Sequence, residues 1–546
     1  MKITNLKGNI FGGITAGIVA LPLALGFGVQ SGLGASAGLY GAIVLGLLAA
    51  IFGGTNTQIS GPTGPMTVIT ATTVSIAIAK YGSLDSALGV ILLTFFLAGV
   101  FQIIFGVLKI GKYIKYIPYP VLSGFMSGIG IIIIIFQIFP MLGLPSPTKI
   151  TDVFIELPNG LKKLNDFAIY LTIGTIAIIY LFPKITKAIP STLVSLIVVT
   201  VISYLLKLDI PLIGDMPKGL PSIKFSAIST IGFSELNMAL LPAITLAGIG
   251  AIDSLLTSVV ADNFTHTKHK SNKELIGQGI GNMITSIIGG IPGAGATMRT
   301  VVNIKSGGTT KVSGIIHAII LLLILLGLGK YVAYIPLSVL AGILITVGIG
   351  IIDRRGLKNI FKVGKSDAFI LVIVLVLTVF VDLLQAVGIG MVIASMIFMR
   401  KASDTVEAST ELVNVDEFDR EIPWKDEKGL TKIKWKNVYI HRFDGPLFFG
   451  VASKMLERVN KIPKNAEVII FRMSKVPFMD QSGLYALGDV IKKMQDLGIT
   501  VVLTMPQEQP LVLLNQNKFI PKIISNEFVF KTIDDCANWL KTYEKN

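Results

Sequence analysis

Residues 8–79 read GNIFGGITAGIVALPLALGFGVQSGLGASAGLYGAIVLGLLAAIFGGTNTQISGPTGPMTVITATTVSIAIA, and not one of them is charged. A bilayer crossing takes ~20 consecutive apolar residues, so this stretch holds roughly three passes. Gly and Pro recur throughout it, which helices in lipid tolerate better than helices in water. A cleaved leader opened by Lys2 and Lys7 would account for the first pass alone. The rest of the chain keeps returning to the same pattern.

Outward from that stretch, apolar runs fall near 10–30, 38–54, 63–79, 86–107, 118–142, 167–183, 189–206, 239–261, 274–291, 295–304, 313–329, 335–352, 367–382 and 384–399. The sequence therefore predicts an α-helical polytopic membrane protein of fourteen segments. The 546 residues are 52% hydrophobic and 15% charged, against about 25% charged in ordinary soluble proteins. The net charge of +15 would suit nucleic acid if it formed a patch. It is instead scattered through short loops between apolar runs.

Those loops test the count. With a cytoplasmic N-terminus, each loop after an even-numbered segment should be basic. They carry Lys109, Lys112 and Lys115; Lys184 and Lys187; Lys268, Lys270 and Lys273; Lys305 and Lys311; Arg354, Arg355, Lys358, Lys362 and Lys365. The last segment exits into Arg400 and Lys401. Loops 143–166 and 207–238 mix both signs and would face outside.

The chain also reads as two related halves. Tyr119-Pro-Val-Leu-Ser-Gly124 is echoed by Ile335-Pro-Leu-Ser-Val-Leu-Ala-Gly342, and Ser60-Gly-Pro-Thr-Gly-Pro-Met-Thr67 by Gly290-Ile-Pro-Gly-Ala-Gly-Ala-Thr-Met-Arg-Thr300. Seven segments per half, an odd number, invert one half against the other. Interrupted segments at matching places of inverted repeats point to a transporter's binding site.

The transmembrane domain so read covers residues 1–401. Residues 402–434 are charged without a strong period and read as a linker. Residues 435–546 alternate strand-like runs (Val438–Phe443, Glu467–Met473, Thr500–Thr504) with amphipathic helical ones (Lys454–Asn460, Ser482–Asp496), a small soluble α/β domain.

A helix N-terminus offers free N–H donors and roughly half a positive charge. Two half-helices meeting at mid-membrane would make an anion site without a cationic side chain. Pro62, Thr63, Gly64 and Pro65 suit one start. Gly295, Ala296 and Thr297 suit the other, where small residues let an anion reach the backbone. The alternative is that these residues only permit close helix packing. Asp253 is the one charge within Leu240–Val260, and a carboxylate there costs ~2.5–3.5 kcal/mol on insertion scales. A coupling cation or proton would justify it, with Thr257 one turn on; a structural ion pair or a protonated carboxyl would too. Arg299 could bind the anion or neutralise Asp253. Gln278, Asn282 and Thr285 form a polar stripe suited to interhelical hydrogen bonds. Ser482, in Met479-Asp-Gln-Ser-Gly483, is placed either as a cap beside Asp480 or as a site for an added phosphate.

No nucleophile–base pair or metal spacing is evident, so an enzyme is not expected. His266 and His269 lie in a Lys-rich loop and read as solvated, and one cysteine, Cys536, excludes an internal disulfide.

Nearly the whole chain resembles the SulP family of anion transporters with a C-terminal STAS domain. The resemblance is carried by Phe11-Gly-Gly13, Ala20-Leu-Pro22, Gly61-Pro-Thr-Gly-Pro-Met66, Ser123-Gly-Phe-Met-Ser-Gly-Ile-Gly130, Asp253-Ser-Leu-Leu-Thr-Ser-Val-Val-Ala-Asp262, Ser271-Asn-Lys-Glu-Leu-Ile-Gly-Gln-Gly-Ile-Gly-Asn282 and Gly293-Ala-Gly-Ala-Thr-Met298. It implies a seven-plus-seven inverted repeat split into core and gate, moving as an elevator. It implies a substrate site at Thr63, Ala296 and Thr297, and a sodium site at Asp253, Thr257, Gly295, Ala296 and Thr297. Arg299 departs from the family's bicarbonate transporters, which have a small residue there, and matches its sulfate transporters. The expectations are sodium-coupled bicarbonate uptake, or proton-coupled uptake of sulfate or a dicarboxylate, in an inner membrane. The N-terminus and STAS domain would be cytoplasmic, the chain a homodimer through that domain, and Na+ the coupling ion with no other cofactor. A membrane-anchored signalling protein with STAS output is the expectation from another class.

Overall fold

Every one of the fourteen apolar runs contains a helix in the computed structural model of the chain. The structure describes residues 5–147, 149–186, 189–214, 223–224, 233–360, 362, 364–381, 383–409, 411–415, 427, 437–452, 455, 462–463 and 465–543. Lys187, all of the expected helix at 454–460 but Met455, half of the stretch 207–238 and most of 402–434 lie outside the described residues. The chain divides into two units, residues 1–394 and 395–546.

The first half of the membrane unit runs α1 (Leu6–Gln30), α2 (Ala35–Phe52), β1 (Ser60–Gly61), α3 (Gly64–Tyr81), α4 (Leu84–Val107), α5 (Tyr119–Phe136), α6 (Ile150–Gly160), α7 (Asp166–Leu181) and α8 (Ser191–Leu205). The second runs α9 (Phe233–Thr265), α10 (Ser271–Ile287), β2 (Ala294–Gly295), α11 (Thr297–Lys305), α12 (Lys311–Val332), α13 (Leu337–Ile351), α14 (Lys365–Phe380) and α15 (Leu383–Ser409). Among the described residues, eight helices are long and apolar enough to cross a membrane. α6 lies in loop 143–166, where no helix was expected.

The helices pack as two groups. One joins α1, α2, α3, α4, α9, α10, α11 and α12; the other joins α5, α7, α8, α13 and α14. The second group is fastened at one end by Asp353. Its Oδ2 accepts from Tyr119 Oη at 2.5 Å and Ser123 Oγ at 2.6 Å, and its Oδ1 from Gly356 N at 3.0 Å. Burial alone would raise this carboxyl, but these hydroxyls and the Gly356 and Arg355 amides outweigh it and hold it below the usual carboxylate range.

α3 and α11 begin inside the first group because the chain breaks there. β1 and β2 pair antiparallel, Ser60 opposite Gly295 and Gly61 opposite Ala294. Gly293 is required at this crossing: a Cβ on it would stand 2.1 Å from the Gly61 carbonyl oxygen.

The second unit is an α/β sandwich around a sheet ordered β3 (Glu411–Asn414), β4 (Val438–Asp444), β5 (Val468–Lys475), β6 (Thr500–Thr504), β7 (Val529–Phe530). β3 is antiparallel to β4 and the rest are parallel. Part of the charged stretch after Lys401 is thus the end of α15 and an edge strand. α16 (Gln481–Asp496) buries Leu484, Leu487 and Ile491 on one face of the sheet. After α17 (Glu508–Gln516), α18 (Ile533–Tyr543) buries Ile533, Cys536 and Leu540 on the other. Strands covered on both faces read as continuous apolar runs, which is why β4, β5 and β6 were legible.

Candidate functional site

The two half-helices start with their first amides uncommitted. Thr63 is the N-cap of α3 with extended backbone (φ −125°, ψ 160°), and Ala296 the N-cap of α11; neither start has a side-chain cap. The helical ladder closes only at Thr67 N on Thr63 O and Thr300 N on Ala296 O. The amides before these have no intrahelical partner. Pro65 in the first turn of α3 loses no bond, since its missing N–H would be an orphan.

α9 runs beside both starts. Thr257 Oγ1 donates to the Gly295 carbonyl at 2.9 Å and lies 2.6 Å from Thr297 Oγ1. Ser254 Oγ accepts from Gly295 N at 3.0 Å, and Ala296 N donates to Ile59 O at 2.8 Å. Asp253 is buried on the same stretch, near the Thr63 hydroxyl. Neither the Thr63 hydroxyl nor Asp253 Oδ2 makes a well-formed hydrogen bond within the protein. Carboxylate, hydroxyl and carbonyl oxygens such as those of Asp253, Thr257, Thr297 and Gly295 are hard donors, the type that suits an alkali or alkaline-earth cation. Unpaired, a buried carboxylate is expensive.

Arg299 is the largest fully buried side chain among the described residues. Its Nη2 donates to the Pro62 carbonyl, while Nε and Nη1 have no partner within the protein. It is near enough to Asp253 to feel its charge but makes no ion pair with it. Gly61 provides the space: a Cβ there would fall 2.6 Å from Nη1. Thr63, Asp253, Thr257, Gly295, Ala296, Thr297 and Arg299 therefore converge on one place. Ser482 does not. It is exposed in the first turn of α16, and the cap there is Asp480, whose carboxylate accepts from Gly483 N at 2.8 Å.

The polar stripe on α10 holds the crossing together. Asn282 grips Gly293, Gln278 Nε2 donates to Ser60 Oγ at 2.6 Å, and Asn282 Nδ2 donates also to Gln102 Oε1 at 2.8 Å. Glu274, missed in the sequence, completes the stripe at the same four-residue spacing. It accepts from Gly54 N, Thr55 N, Gln58 Nε2 and Gln278 Nε2 at 2.7–2.8 Å. Gln58 in turn accepts from Ser258 Oγ at 2.9 Å. The expectation of a solvated His269 is corrected. Its Nδ1 lies 2.7 Å from Asp262 Oδ2 and its Nε2 2.9 Å from Ser271 Oγ, because the α9–α10 turn folds the ring back over the end of α9.

Residues 6–374 match the sulfate permease family and residues 431–536 the STAS domain. The chain is 42% identical over 498 residues to bicarbonate transporter BicA of Picosynechococcus sp., covering 90% of this chain and 87% of that one. It resembles the solved transmembrane domain of a cyanobacterium bicarbonate transporter BicA with a TM-score of 0.65 and 47% identity, over 71% of this chain and 99% of that one. It superposes on the murine anion transporter Slc26a9 with a TM-score of 0.83 at 19% identity, over 99% and 92% of the two chains, a likeness of fold.

Proposed function

The chain belongs to the sulfate permease family of anion transporters, and from that premise we propose that it takes up bicarbonate coupled to sodium. The observation carrying this is Asp253: a buried carboxylate near the Thr63 hydroxyl, not ion-paired to Arg299, whose Oδ2 makes no well-formed hydrogen bond, one helical turn from the Thr257 that is bonded to Gly295 and Thr297. Sodium would neutralise it there. The anion would lie against the first amides of α3 and α11, with Thr63, Ala296 and Thr297 around it. Each ligand lowers the cost of the other, since a filled cation site adds positive charge behind the anion. The relative named a bicarbonate transporter supports the same reading.

In this reading the membrane unit is a fourteen-segment, seven-plus-seven inverted repeat. The group containing α3 and α11 is the moving core, and the group containing α5 and α13 is the gate. The N-terminus and the STAS domain are cytoplasmic, in an inner-membrane protein that dimerises through the STAS domain. A monodisperse monomer in native mass spectrometry would count against the dimer. Phosphorylation of exposed Ser482 would be its regulatory input.

Arg299 favours a second reading. Its unpartnered Nε and Nη1 are oriented donors for a sulfate or dicarboxylate oxygen, with Asp253 then carrying a proton. Uptake of labelled bicarbonate and, separately, labelled sulfate into proteoliposomes, with and without an inward sodium gradient, separates the two. Bicarbonate moving only with sodium supports the first. Sulfate moving without sodium overturns it.

A further inference from the structure

A cavity of about 450 Å3 opens where the start of α5, the turn after α13 and the start of α14 meet. It is remote in sequence from every residue of the half-helix site. Part of its lining, termed the floor, is apolar, supplied by Pro120, Ile360, Ala368 and Leu371. Its wall carries Arg355, Asn359 and Asp367. Arg355 is exposed and has no ion-pair partner among the described residues, whereas Asp367 has a partner of its own. Arg354, Lys358, Lys362 and Lys365 are exposed on the same segment, so residues 353–367 bring five cations against two carboxylates. Gly364 gives α14 no side-chain cap, so only from Asp367 on do its amides find a backbone partner, the Gly364 carbonyl.

The surroundings are those of a membrane surface. Tyr119 on the wall is 55% exposed and Phe369 next to the floor 55%, the depth at which aromatic side chains collect in bilayers. From Phe369 an exposed apolar stripe, Val372, Val376 and Phe380, runs down α14 at helical spacing. A basic mouth, an apolar floor and a greasy strip leading away fit a molecule with a charged head and a hydrocarbon tail. Free phosphate would use the mouth alone.

We propose that this cavity binds the phosphodiester headgroup of an anionic phospholipid, with Arg355 on the phosphate and an acyl chain along the Phe369–Phe380 face. Basic pockets between membrane helices recognise such headgroups through charge and hydrogen bonds. The lipid would tie the turn that Asp353 fastens to α5 onto the start of α14. The inference uses the membrane reading of the chain and is independent of its anion.

The test is native mass spectrometry of the full-length protein released from detergent, titrated with phosphatidylglycerol, phosphatidylcholine or sodium phosphate. Phosphatidylglycerol should bind first. Arg355→Gln should weaken it roughly fivefold and Arg355→Glu further, whereas Arg400→Glu, a charge at the end of the apolar part of α15, should change it little. Ala368→Trp fills the floor without altering charge and should displace the lipid too; unchanged melting of each variant without lipid shows that it folds. Equal binding of phosphatidylcholine, or no loss in Arg355→Glu and Ala368→Trp, overturns the proposal. Displacement of the lipid by millimolar phosphate also overturns it, in favour of a soluble-phosphate site.

Discussion

Asn282 holds Gly293 by both backbone groups: its Nδ2 donates to the Gly293 carbonyl at 2.9 Å, and Gly293 N donates to its Oδ1 at 2.9 Å. A side-chain amide here does what a neighbouring strand would do, fixing the backbone one residue before β2. Asn282→Leu leaves both groups buried and unpaired, at about 1–3 kcal/mol each. The expected result is a lower melting temperature in detergent together with reduced uptake, although Asn282 touches neither proposed ligand. Unchanged melting would mean that water satisfies Gly293 equally well.

Asp253→Asn keeps the shape of the site and removes its charge. Uptake of labelled bicarbonate into proteoliposomes should then lose its response to an inward sodium gradient, with any residual flux independent of sodium. A sodium response equal to that of the parent protein assigns the cation elsewhere.

Gly61→Ala tests Arg299 without touching it. The new methyl competes with the Nη1 position and, on the second reading, should raise the KM for sulfate, because the guanidinium moves off the Pro62 carbonyl. Arg299→Lys should not restore function, since one ammonium cannot reproduce a planar fork of donors. If Gly61→Ala transports normally, Arg299 is a packing element and the sulfate reading loses its support.

The thiol of Cys536 is buried at the first-turn contact of α18, and burial pushes it up to about 12. A thiolate is the reactive form, so maleimide should fail to label the native protein at pH 8 and label it promptly in denaturant. Rapid native labelling would show α18 to be detached.

Much of this was readable in advance because lipid imposes a simple rule: backbone must satisfy itself, so apolar runs become helices. The breaks at Gly61–Pro65 and Gly293–Thr297 were readable because Pro and Gly interrupt runs that otherwise continue. The pairing of β1 with β2 was not, since two-residue strands have no period. Glu274 escaped because a carboxylate at the start of an apolar run looks like the end of a loop; its burial depends on Gly54, Thr55 and Gln58, which fold onto it from far away in sequence. The strand Glu411–Asn414 escaped because an edge strand needs an apolar pattern on only one side, and the charges around it masked that pattern.

The crossing of the two breaks also sets an order of events during synthesis. Pro62 and the arginine that binds its carbonyl are 237 residues apart, so at ordinary elongation rates roughly 10–50 s separate their emergence. Through that interval the first break sits in the bilayer with its strand edge unclaimed and the space beside Gly61 empty. Whatever shelters it then, an insertase or an early non-native partner, must let go when the second break arrives. A truncated chain ending before residue 293 would therefore be expected to persist as a substrate for membrane proteases rather than as half a transporter.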